Sequence, residues 1–183
     1  MKSFKTLINE ASSNRVHQRI ENRNIGMITA HRAENTTEEN RKNNSDLEDS
    51  IRKAGHGFVK VNGHYTENRG TPQEKHVKER SYLVIGKKGD DNGALKGFLL
   101  KHGEKHKQDS VLHKAAGDET AKLHGTKEGG WPGKGQTHDV GKFHPDRAGE
   151  FHSSMRGAKK TFAFESIQFT TPLGFFSREE TEF

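Results

Sequence analysis

Twelve histidines in a chain of 183 residues invite metal chemistry. His102 and His106 are four apart, the spacing that sets two imidazoles on one helical face. Gly103 interrupts that helix, however, and the glutamate of "HGEKH" stands in the third place rather than the second, so the run is not HExxH. With no acidic third ligand identifiable, the expectation is a solvated, charge-rich helix end and no metal. Two glycine loops carry lysine, "GKKGDDNG" and "GGWPGKGQ", yet neither has the GxxxxGK[ST] spacing that cradles a nucleotide's phosphates, and no cofactor is expected. The sole tryptophan, Trp131, has the shape to stack on a base or close a small satellite core, and the second is the commoner fate. Lys87, Lys88, Lys127, Lys134, Lys142, Arg147, Arg156, Lys159 and Lys160 make up a diffuse surface that would contact phosphates without reading bases, and its binding would weaken with salt. With no cysteine, thiolate ligands, disulfides and a cysteine nucleophile are all excluded.

These residues need a scaffold, and the composition supports one of modest size. The chain is 28% hydrophobic and 31% charged, enough for one core with loose polar margins. A net charge of +6 favours polyanionic surroundings, although the two signs are interspersed through most of the chain. No stretch approaches the roughly 18 consecutive apolar residues that span a bilayer. The expectation is a soluble, intracellular protein without a membrane partner.

Phe4, Leu7 and Ile8 recur at i, i+3, i+4 and give residues 3–10 one helical face. Residues 13–23 carry only Val16 and Ile20 on one side and read as a thin helix or connector with little buried. "IGMITA" at 25–30 reads as a strand, and Thr36 with Glu39 forms a capping-box pattern that starts a helix. Leu47, Ile51 and Ala54 continue that helix to Gly55, placed for a left-handed cap. "GFVKVNGHYT" and "SYLVIG" read as two further strands, "DDNGALKGFLLKHGEKH" as a second helix capped by Asp91 or Asn92, and "DSVLHKA" as a fourth strand. Strand, helix, strand, strand, helix, strand is the split βαβ order of a ferredoxin-like α+β sandwich. Residues 117–160, rich in Gly, His and Lys, read as a long loop, and "TFAFESIQF" opens one or two extra edge strands for which "AKLHGT" at 121–126 is the candidate partner. The predicted organisation is a detachable peptide at 1–10, a linker or short helix at 11–24, and a single domain over 25–183.

The opening "MKSFKTLINEA" resembles the capsid-targeting peptides of T-even-like bacteriophage internal head proteins. That resemblance implies a helix with Phe4, Leu7 and Ile8 on its docking face, prohead scaffold or capsid proteins as partners, and cleavage by a prohead protease between Glu10 and Ala11. It also implies a virion location inside the capsid, with the protein either retained there or delivered into the host cytoplasm. The central stretch is similar to a family of small bacterial and phage proteins of unknown function, with Asn40, Asn44, Leu47, Gly55, Glu79, Ser81, Gln108 and Val111 in the pattern positions. "HYT" at 64–66 and "HSS" at 152–154 resemble the two motifs of 2H phosphoesterases. By that resemblance His64 and His152 would carry protons while Thr66 and Ser154 hold the phosphate. The sequence reading settles on a non-enzymatic, head-associated protein that binds DNA or a host macromolecule. Its alternatives are a phosphoesterase-like or other counter-defence enzyme and a structural virion component.

Overall fold

The computed structural model describes residues 15–67, 72, 75–88, 91–145, 152–155 and 161–165. A helix over 15–22, α1, leads into β1 (Ile25–Ile28), and α2 (Thr37–Lys53) follows. Then come β2 (Gly57–Glu67), β3 (Lys75–Ile85), α3 (Ala94–Lys105), β4 (Ser110–Lys114), β5 (Thr120–Gly125), β6 (Thr137–Pro145), β7 (His152–Met155) and β8 (Thr161–Glu165). The strands close into an antiparallel barrel in the order β1-β3-β2-β7-β8-β6-β5-β4, with β4 returning to β1.

The ferredoxin-like sandwich is therefore not the fold. Its error has a physical origin in the second half of the chain. The neighbour order β4-β1-β3-β2 is the order a split βαβ unit makes, but such a unit leaves β2 and β4 as open edges. Here β5 and β6 extend the β4 edge, while β7 and β8 join the β2 edge to β6. Full closure removes both edges. Three of the closing strands lie inside the stretch read as a long loop over 117–160, because their polar and glycine residues mask a period of two.

Alternation along the strands sorts the side chains into two cores. Ile25, Val61, Leu83, Ile85, Met155 and Phe162 fill the barrel interior, with Phe143 and Phe164 packed against them. Val16 and Ile20 of α1 belong to the same cluster, so the segment expected to bury little supplies a fully buried isoleucine. The second core lies between the barrel wall and the long helices, where Ile28, Tyr82, Val84 and Val111 meet Leu47, Ile51, Leu95 and Leu99. A Cβ at position 26 would drive into Leu99 and come within 2.8 Å of the Leu112 carbonyl oxygen, which is why glycine stands where α3 crosses β1.

The start of α2 forms as its sequence dictates: the Thr36 hydroxyl accepts from the Glu39 N–H, and the Glu39 carboxylate accepts from the Thr36 N–H. The helix ends before Gly55, whose φ of 74° is the left-handed conformation that glycine adopts at no steric cost. At α3 the cap is Gly93 rather than Asp91 or Asn92, although the Asp91 carboxylate accepts from the N–H groups of Gly93 and Leu95.

Candidate active site

The chain leaves β1 at Ile28 and crosses to α2 through Thr29, Ala30, His31 and Arg32, none of them in a helix or strand. Side chains from distant parts of the sequence take up the polar backbone groups of this crossing. Ala30 N–H donates to the Asn44 side-chain oxygen at 3.3 Å, His31 N–H to the Thr29 hydroxyl at 3.0 Å, and Arg32 N–H to the Asn40 side-chain oxygen at 2.8 Å. The Asn40 amide returns a bond to the Arg32 carbonyl at 2.8 Å, and the Gln108 amide donates to the His31 carbonyl at 3.1 Å. The Thr29 hydroxyl donates to the Arg80 carbonyl at 2.7 Å, which ties the crossing to β3. Asn40, Asn44 and Thr29 are buried, so each would be costly to leave unsatisfied, and each is bonded.

This clamp places His31 beside Glu79, with Nδ1 3.9 Å from the carboxylate. Burial, with the Arg80 guanidinium second, lowers the His31 pKa below the usual imidazole value, which favours the neutral ring at physiological pH. Glu79 itself faces the barrel interior. Leu83 and Ile85 point into that interior, and the period of two carries the same face back to Ser81 and Glu79. Gly63 opposite confirms the direction, since a Cβ there would sit 3.6 Å from the Ser81 hydroxyl and 3.7 Å from Glu79 Cγ. Ser153 of β7 pairs with Gly63 and is buried, two residues from interior Met155. The packed interior thus has an apolar body and one polar end, built from Thr29, Gly63, Glu79, Ser81 and Ser153.

Across the wall of the hairpin β2–β3 runs a second polar feature. A groove of about 210 Å³ lies between α2 and the hairpin, lined by Arg41, Asn44, Glu48, Lys60, Arg80 and Tyr82 among others. Glu48 is the latch beneath it: Lys60 and Arg52 each approach to 2.7 Å, and the Tyr82 hydroxyl lies 3.3 Å away. Burial raises the Glu48 pKa, but the bonds from Lys60 and Arg52 outweigh it and hold the carboxyl below its ordinary value. Glu48 is thereby committed to joining α2 to the barrel.

The S-adenosylmethionine lyase family matches residues 26–171, about four-fifths of the chain. The chain belongs to that family. No curated protein matches it. Membership makes the chain an enzyme and overturns the reading as a non-enzymatic, DNA-binding internal head protein. It also replaces the resemblance to a family of unknown function, and four of that pattern's residues, Asn40, Asn44, Glu79 and Gln108, meet around the crossing after β1 in this S-adenosylmethionine lyase family member.

The remaining sequence expectations divide by location. Phe4, Leu7, Ile8, Glu10 and Ala11, on which scaffold docking and prohead-protease cleavage were expected, lie outside the described residues, as do Arg147, Arg156, Lys159 and Lys160. Of the proposed phosphate-contacting lysines, three have acidic partners: Lys127 with Asp109 at 3.2 Å, Lys134 with Glu104 at 3.4 Å and Lys142 with Glu119 at 2.8 Å. Lys87 and Lys88 are exposed. Such pairing reduces the net field that a polyanion would meet. His64 and His152 are backbone register partners on β2 and β7, and Ser154 pairs with Asn62, while Thr66 lies further along β2 opposite His76. No cluster of three or more candidate metal ligands occurs among the described residues. Trp131 closes no core; it is 49% exposed beside His138. Sequence reasoning missed Thr29, His31, Glu48, Lys60 and Tyr82. A usable signal was present for Glu79, because counting back by twos from the apolar Leu83 puts a carboxylate on the inward face of a strand.

Proposed function

We propose that the protein cleaves S-adenosylmethionine between the sulfonium sulfur and the γ-carbon of the amino-acid chain. In this reaction the substrate's own carboxylate attacks that carbon, a C–O bond forms as the C–S bond breaks, and the bonding pair stays on sulfur. The products are the neutral thioether methylthioadenosine and homoserine lactone, and no water is consumed. The nucleophile is already ionised at neutral pH and the leaving group needs no proton, so no general acid or base is required.

What such a reaction does require is orientation and exclusion of water. A negative carboxylate and a positive sulfonium neutralise each other on the way to the transition state, and a site shielded from water favours that loss of charge. A protein carboxylate set against the sulfonium would stabilise the starting state more than the transition state. The substrate's ammonium group, by contrast, keeps its charge throughout. We therefore assign Glu79 to hold the ammonium, with Ser81 and the crossing around His31 fixing the angle from which the substrate carboxylate approaches.

The family match carries this reading. The test is incubation of the purified chain with S-adenosylmethionine in ¹⁸O-enriched water, with chromatography and mass spectrometry of the products. Methylthioadenosine should appear with an equal amount of lactone free of the label, and Glu79→Gln should lower kcat/KM by roughly 10²-fold or more. Absence of methylthioadenosine from the wild-type reaction, or full activity in Glu79→Gln, would refute the respective assignment.

A further inference from the structure

We propose that Gln108 and Asn40 are positioning residues for the lyase reaction, fixing the 30–32 crossing so that His31 forms a rigid wall beside Glu79. The inference rests on the lyase reading of the polar end of the barrel. Side chains from the start of α2 and the end of α3 converge on the backbone of this one segment. A crossing of this length on a surface would ordinarily give its N–H and C=O groups to water. Here Asn40 closes a two-way bond on Arg32, with both distances at 2.8 Å, and Gln108 spans from the end of α3 to the His31 carbonyl at 3.1 Å. The same Gln108 amide donates to the His106 carbonyl at 3.2 Å, so its orientation is set from two sides. The Arg32 guanidinium adds a bond to the Lys107 carbonyl, which fastens the crossing to the same turn.

The Gln108 turn is itself immobilised. The Thr126 hydroxyl donates to the Gln108 carbonyl at 2.6 Å, and Thr126 N–H donates to the Asp109 carbonyl at 2.9 Å. His31 is therefore held by a chain of bonds that runs through the end of α3 into the β5–β6 connection. Neither Gln108 nor its bond to the crossing belongs to either hydrophobic core. Support of this kind, remote in sequence and directed at the backbone of one segment, is what a substrate-orienting wall needs when its placement must be good to about half an ångström.

The effect of Gln108 on chemistry should separate from its effect on folding. In Gln108→Met the side chain keeps its length and loses both donors. We expect kcat to fall at least about tenfold with KM changed less than about threefold. The His31 ring-proton resonance, assigned by its loss in His31→Gln, should move and should titrate nearer the ordinary imidazole value as the ring gains freedom. Gln108→Glu, which also lacks the donors but stays polar, should show the same pattern and serves if the methionine variant does not fold. An unchanged kcat and an unmoved His31 resonance in either folded variant would overturn the proposal. A wild-type chain that releases no methylthioadenosine would instead overturn the lyase reading and this inference with it.

Discussion

Acid should weaken this protein through His102, and a single ring substitution should remove part of that weakness. His102 is 8% exposed on the inner side of α3, between Phe98 at a ring separation of 4.3 Å and His106 at 6.1 Å. Its Nδ1 has no hydrogen-bond partner among the described residues. Burial, followed by the charges of His106, Lys105 and Lys101, lowers its pKa to about 4. Asp46 of α2 faces the neighbouring His106 and opposes the shift of that ring only in part. An unfolded histidine titrates near 6.5. Between those two values the unfolded chain holds a proton that the folded chain does not, so stability rises with pH. The contribution is complete above the unfolded value and is lost as pH falls toward about 4. From pH 7 to pH 5 the ideal loss is about 2 kcal/mol, and water at the rim of the ring reduces it to about 1 kcal/mol. The measurement is urea unfolding followed by circular dichroism at both pH values, in wild type and in His102→Phe, which keeps the stacked ring without the titration. The variant should lose about 1 kcal/mol less than the wild type on acidification. An equal loss in the two proteins would refute the assignment of acid sensitivity to this ring. His124, lowered to about 4 chiefly by burial with Lys96 second, should respond in the same direction.

Ile20→Ala, which empties a fully buried site in the barrel interior, should cost about 2–5 kcal/mol by denaturant unfolding, whereas a connector that buried little would lose almost nothing. Gly26→Ala should destabilise by about 1–3 kcal/mol, and adding Leu99→Ala should not restore stability, because the Leu112 carbonyl would still obstruct the new methyl. Thr36→Ala should cost about 0.5–2 kcal/mol in the same assay through the lost capping box. Reversing Lys134 to Glu should leave lyase activity unchanged and shift unfolding by less than about 1 kcal/mol, since its pairing with Glu104 is solvent-exposed.

The first half of the barrel was legible because its elements obey simple periods. Thr36 and Glu39 cap α2, Gly55 ends it, and Val59, Val61, Leu83 and Ile85 alternate as half-buried strands do. The second half was not, for two reasons. β7 is only His-Ser-Ser-Met, with Ser153 buried by its position in the wall rather than by its own polarity. β6 includes Gly141 at a φ of 94° and meets β5 through a register shift beside Ala121, and such irregularity erases a period-two signal. Closure of a barrel is a non-local property that no window of sequence reports. The same holds for the site. Asn40, Asn44, Glu79, Ser81 and Gln108 were each visible as notable residues, but only the fold brings amides from two helix ends onto one crossing. The opening eleven residues, by contrast, carry a local resemblance that says nothing about the chemistry of the four-fifths of the chain matched by the family.

The seam at β7 and β8 has a consequence for a polypeptide cut short. These strands pair with one another at only two register positions, yet they alone join β2 to β6. Without Thr161–Glu165 the sheet would keep two unpaired borders, on β7 and β6, and an inner face lacking Phe162. A barrel joined this way seals its interior only once Thr161–Glu165 is in place, and a product that stops short of that segment would leave those borders open to pairing with another copy.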